Sequence, residues 1–199
     1  MTLPSSGLGL TLAILLLTTA AWAQVREPRE PAPEAKKSPL IATLIANEDT
    51  YTLAADQQGE AFAKMLKEKL QGPPPPEVDL VFEIKNPTDQ EITITLGADS
   101  GSLDLILAGP GAVTIPGQRI FTREFRAGKP VTIAAGKTHE IPIKQLKFGF
   151  RGVGTHAYWT EPGEYTLAAR LTNRGGRDGQ PPAMSLATEP IKITVKAAE

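Results

Sequence analysis

From Glu77 onward the chain is written in period two. Val78, Leu80, Phe82 and Ile84 alternate with Asp79, Glu83 and Lys85, and the run stops at Asn86-Pro-Thr-Asp89. Successive side chains of a strand point to opposite faces, so this spacing makes one apolar and one wet face. Such a strand has to bury its apolar face against a second layer. The pattern recurs: Ile92, Ile94 and Leu96 alternate with Glu91, Thr93 and Thr95, then come Leu103, Leu105 and Leu107, and after Gly109-Pro-Gly111 come Val113 and Ile115. Further short strands are expected at Ile120–Phe125, Val131–Ile133, His139–Ile143, Ala157–Trp159, Tyr165–Leu171 and Pro190–Lys196. The 18 glycines and 18 prolines punctuate the chain too often for long helices.

Short strands at this spacing, separated by Gly/Pro/Asn/Asp turns, indicate an all-β domain over residues 77–199, an immunoglobulin-like antiparallel β-sandwich. Pro142 inside a strand belongs on a sheet edge, where its missing amide costs no ladder bond. Glu161-Pro162-Gly163-Glu164-Tyr165 places a tyrosine just inside a strand after a Pro-Gly turn. That is the pattern of a tyrosine corner, in which the hydroxyl bonds nearby backbone and pins a crossing between sheets. Tyr165, Gly163 and Pro162 are therefore expected to be structural.

Ahead of the sandwich, residues 40–76 read as a short strand, with Thr50-Tyr-Thr-Leu53 alternating as a strand does, then one amphipathic helix and a polyproline joint. Asp56 is placed to cap the helix, Phe62, Met65, Leu66 and Leu70 share one face, and Gly72 before Pro73-Pro-Pro-Pro76 is placed to end it. The apolar stripe is expected to dock on the following domain. Residues 24–39 form a tether: Arg26 to Pro39 holds seven charges and four prolines in fourteen residues, leaving nothing to bury. A spacer is the expected role, with a proline-rich ligand the alternative.

Residues 1–23 carry no charged side chain, and their apolar run Leu8–Leu17 precedes Ala21-Trp22-Ala23. An apolar core followed by an A-x-A site is the layout of a cleaved signal peptide, so the mature chain is expected to begin at Gln24 and to be secreted or periplasmic. The alternative is an uncleaved anchor, for which the run is short. No later segment is apolar enough to span a bilayer as a helix.

The chain has 21 Lys+Arg against 22 Asp+Glu and no cysteine. Near-neutral charge argues against a nucleic-acid partner, and the absence of thiols removes disulfides, thiolate catalysis and cysteine-held metals. The two histidines, His139 and His156, lie seventeen residues apart in strand or loop context, unlike a zinc site. Asp99-Ser100-Gly101 matches the aspartic protease triplet, a chemistry that needs two such aspartates. A homodimer through Asp99 is the least implausible enzyme reading, but the triplet sits where a turn is wanted. Ser100 has no nucleophile elbow around it, and Asp99 with Asp104 lacks the spacing of a calcium loop. No cofactor, metal or catalytic set is expected.

The remaining candidates are contact residues. Lys147-Phe148-Gly-Phe150-Arg151-Gly-Val-Gly154 reads as a flexible, partly aromatic loop, and Thr172–Pro182 as a long glycine-rich one. Contacts to a protein partner, at the cell envelope or outside it, are expected at Phe148, Phe150, Arg151, Arg174 and Arg177. Trp159 is expected in the core or as an interface anchor.

Residues 77–196 resemble the immunoglobulin-like sandwich domains of exported bacterial proteins, through Val78–Asn86 with its polar turn and Pro162-Gly-Glu-Tyr-Thr-Leu167. The same two motifs are distantly similar to the bacterial intracellular proteinase inhibitor family. That likeness implies a protein-binding sandwich, with inhibition as the alternative function and no inhibitory residue carried over.

Overall fold

The computed structural model describes residues 38–68, 72–97, 99, 101–116, 126, 128–150, 153–173 and 183–198. Among them are thirteen strands and one α-helix. β1 (Ile41–Ala46), β3 (Glu77–Lys85) and β8 (Thr138–Gln145) form one antiparallel layer with β3 central. A second layer is built on β11 (Gly163–Asn173). β5 (Gly101–Ala108) pairs along one of its edges, while β13 (Ile191–Ala197) and then β12 (Met184–Ala187) share the other. β2 (Thr50–Leu53) extends this layer by lying parallel to β13.

Alternation is what makes the two layers face each other. Val78, Leu80, Phe82 and Ile84 of β3 are buried, as are Tyr165, Leu167, Ala169 and Leu171 of β11, and both rows belong to one apolar core. Their wet neighbours point outward. This is the immunoglobulin-like all-β sandwich that the periodicity predicts, and its tyrosine corner is formed. The Tyr165 hydroxyl lies between the carbonyl oxygens of Glu161, at 2.7 Å, and Pro110. Gly109 makes room for the ring: a Cβ there would stand 2.6 Å from Tyr165 Cδ1.

Two short ladders complete the body: β4 (Ile92–Leu96) with β7 (Lys129–Ile133), and β6 (Ala112–Pro116) with β10 (Val153–Trp159) and β9 (Lys147–Phe150). β8 and β9 are nearly one strand that changes partner at Leu146. The Leu146 amide donates to Pro76 at 3.0 Å, and its carbonyl accepts from Ala157 at 2.9 Å, so the chain leaves β3 and joins β10 there. A strand that switches sheets turns a corner of the sandwich.

Several local expectations are corrected. The helix α1 spans Gly59–Glu68 and is preceded by a 3-10 turn over Ala55–Gln57, so Asp56 lies in that turn and does not cap it. Gly72 does not adopt a left-handed cap. Its lack of a side chain serves packing instead, since a Cβ there would lie 2.8 Å from the Tyr158 hydroxyl. The described residues of the expected 147–154 loop are strand: Phe150 pairs with Val153, Gly149 with Gly154 and Phe148 with Thr155. The sequence places the sandwich from Glu77, yet β1 and β2 precede that point and are built into the two layers.

The amphipathic stripe of α1 does dock. Phe62 and Leu66 are buried with Val113, Ile115 and Tyr158 in a small cluster separate from the main core. Leu70, the expected strand Ile120–Phe125, the tether to residue 37 and the N-terminal apolar run lie outside the described residues. No helix of the described residues is long and apolar enough to cross a membrane.

Candidate functional site

An open cleft of about 750 Å³ lies where β2, the start of β3, the end of β8 and β9 converge. It exists because strands leave one another here. The β3–β8 register shifts between Glu77 and Leu80, and just beyond it the chain turns the Leu146 corner. Where ladders diverge, side chains splay and a concavity opens. Its lining mixes apolar Val78, Leu103, Ile143 and Phe148 with Glu48, Glu77, Asp79, Lys144 and Lys147.

Tyr51 anchors one wall. Its hydroxyl donates to the Glu48 carbonyl at 2.8 Å and accepts the Asp79 amide at 3.2 Å, tying β2 of one layer to β3 of the other. Burial pushes its phenol above the ordinary tyrosine range. Behind it, Tyr51 stacks on Trp159 with ring centroids 5.3 Å apart, and Trp159 lies 6.2 Å from the Tyr165 ring. Trp159 is 3% exposed. It is a core residue that backs the cleft, and it offers no surface to a partner.

Asp79 and Lys144 form an ion pair at 2.5 Å, and Asn47 Nδ2 donates to the same carboxylate oxygen at 3.1 Å. The Lys144 and Asn47 bonds hold the Asp79 carboxyl below the usual carboxylate range. The pair is exposed, so its part in stability is small.

Of the sequence-derived contact residues, Phe148 is the one whose side chain the structure brings to the cleft, half-buried against the main core. Phe150 lies two residues further along β9, and Arg151, Arg174 and Arg177 lie outside the described residues. Sequence reading missed Tyr51, Asp79 and Lys144 as neighbours of Phe148. Tyr51 is visible in the alternating Thr50-Tyr-Thr-Leu53, but its place against β13 comes from pairing across nearly the whole chain.

The other motifs resolve into local structure. Asp99 closes a loop: its amide donates to the Arg126 carbonyl at 3.1 Å, and its Oδ2 accepts the Arg126 amide at 2.8 Å. Ser100 lies outside the described residues, and Asp104 accepts from Ser102 Oγ at 3.1 Å. His139 and His156 stand on different strands, β8 and β10, and no cluster of three or more metal-ligating side chains occurs among the described residues.

No family model and no curated protein matches the chain. Among solved structures it is similar to the ASH / PapD-like domain of human CEP192 (PapD-like domain 7), at 7% sequence identity. That alignment covers 87% of this chain and 96% of that one, with a TM-score of 0.24. The likeness to the intracellular proteinase inhibitor family therefore rests on its two short sequence motifs.

Proposed function

We propose that this is an exported, non-catalytic binding module whose cleft at Phe148 receives a protein partner. The observation that carries this reading is the cleft's composition: a half-buried aromatic among apolar side chains, ringed by carboxylates and ammoniums of both signs. Recognition surfaces pair an apolar centre with a polar rim that fixes register. Asp79 and Lys144 already satisfy each other, which suits a rim that positions a ligand better than a group awaiting a proton transfer.

Peptide display against the full chain, purified as the cell processes it, tests the reading. Selected peptides are expected to combine an aromatic or long aliphatic residue with charged neighbours, and Phe148→Ala is expected to weaken them roughly tenfold or more. Ile106→Ala, on the exposed outer face of β5, is expected to leave them unchanged. Binders indifferent to Phe148→Ala, or none at all, overturn the proposal. Export rests on the charge-free apolar N-terminus and its A-x-A site. Amino-terminal sequencing of protein recovered from outside the cytoplasm is expected to begin at Gln24.

A further inference from the structure

A second cavity, of about 420 Å³, lies where β8, the start of β5 and the end of β11 meet the β4–β7 ladder. Leu103 and Gly149 line both this space and the first cleft, so the two adjoin. It stays open because the backbone demands glycine where a side chain would otherwise fill it. A Cβ on Gly101 would stand 2.6 Å from the Thr172 carbonyl oxygen, and Gly149 has a φ of +103°, a conformation that side chains disfavour.

The lining is mostly apolar. Leu96, Leu103, Val131 and Ile141 come from four different strands, and all four stay half-buried around this space. Apolar surface gathered in a concave site marks a place for a ligand. Two titratable side chains join them, Lys129 on β7 and His139 on β8. His139 is half-buried, on the same row of β8 as Ile141 and Ile143. Among the described residues neither Lys129 nor His139 has an ion pair, and no acidic side chain lines the cavity, whereas the first cleft carries both signs.

We propose that this cavity binds a medium-chain fatty acid, with its chain against Leu103, Val131, Ile141 and Leu171 and its carboxylate held by Lys129 and His139. An ammonium and an imidazole N–H both donate, and a carboxylate supplies the charged acceptor that no side chain of the lining provides. The volume is low in the range of small-ligand pockets, which suits one unbranched chain and excludes a two-chain lipid. Burying that chain also covers apolar side chains that water otherwise wets. The assignment is independent of the reading of the first cleft, because Lys129, His139, Val131 and Ile141 do not line it.

Decanoate, decanol and decyltrimethylammonium, each below its micellar concentration, test the assignment on the full chain. Decanoate is expected to raise the thermal midpoint. It is also expected to shift the methyl resonances of Val131, Ile141 and Leu171, leaving those of Val78 in the first cleft in place. Decanol is expected to bind roughly tenfold more weakly, and the cation more weakly still. Lys129→Gln, altered at an exposed position, and His139→Gln are each expected to weaken decanoate roughly tenfold with decanol unchanged. Lys192→Gln, exposed on β13, is expected to leave both unchanged. A wild-type chain indifferent to decanoate at about 1 mM, equal binding of the anion and the cation, either cavity variant binding decanoate as the wild type does, shifts at Val78 in place of Val131, or tighter binding to vesicles of anionic phospholipid would each overturn the assignment.

Discussion

Asn86 reaches across the molecule to Ile133: its Nδ2 donates to the Ile133 carbonyl at 2.9 Å and to the Gln90 carbonyl at 2.7 Å. Its Oδ1 accepts from the Thr88 amide at 3.1 Å and the Thr88 hydroxyl at 2.7 Å. One fully buried amide therefore holds the turn after β3 and ties it to the end of β7. Asn86→Asp keeps the volume but removes both donors and sets a carboxylate against two carbonyls. The expected cost is about 2–3 kcal/mol or more, read as a lower urea midpoint with unchanged slope.

Tyr165→Phe deletes a hydroxyl held between two carbonyls at the Gly109–Gly163 crossing, leaving the aromatic packing in place. The expected loss is about 1–2 kcal/mol. Tyr165→Ala also empties a fully buried ring site beside Trp159 and is expected to cost about 3–5 kcal/mol. Chemical denaturation of both variants checks the ordering.

The helix and the sandwich are expected to respond differently to truncation. Leu66 is fully buried, but in the small cluster with Phe62, Val113, Ile115 and Tyr158, and Tyr158 further latches the segment by donating to the Pro73 carbonyl at 2.6 Å. Leu66→Ala is expected to raise hydrogen exchange of the α1 amides by at least about tenfold, while β3 and β11 amides keep their protection. Phe82→Ala, in the main core, is expected to destabilise all of them together by about 3–5 kcal/mol.

How far the fold could be read in advance depends on where each residue finds its partner. The inward row of β3 was legible because alternation is local, and so was the corner at Tyr165, whose turn lies within four residues of it. The β9–β10 pairing was not: Gly149 and Gly154 read as loop residues until they are seen facing each other across a ladder. β2 was recognisable as a strand but not as the parallel partner of β13, since no short-range pattern encodes a pairing between chain ends. The cleft inherits that difficulty. Phe148 stands out by its aromatic ring among cations and glycines, whereas Tyr51 and Lys144 join it only through the register of three strands.

The half-buried His156 gives the fold a pH dependence with a definite sign. Burial pushes its imidazole below the ordinary value, with the positive charge of Lys147, its cross-strand partner on β9, adding to the effect. Its other facing group is the Tyr158 hydroxyl, 3.4 Å from Nδ1, which itself is held by Pro73. The folded protein thus keeps this histidine neutral where the unfolded chain, with an ordinary value of about 6.5, takes up a proton. Below that pH the unfolded state binds more protons, so stability is full above it and falls as pH drops toward the depressed folded value. The Asp79 carboxyl is also depressed, and its contribution disappears in a separate window at about pH 4 and below. The thermal midpoint of the wild type is therefore expected to decline as pH falls through about 6.5. His156→Gln, which cannot titrate, is expected to flatten that decline, with both proteins falling together only in the carboxylate window. Parallel profiles for the two proteins across the upper window would show that His156 is not the responsible group.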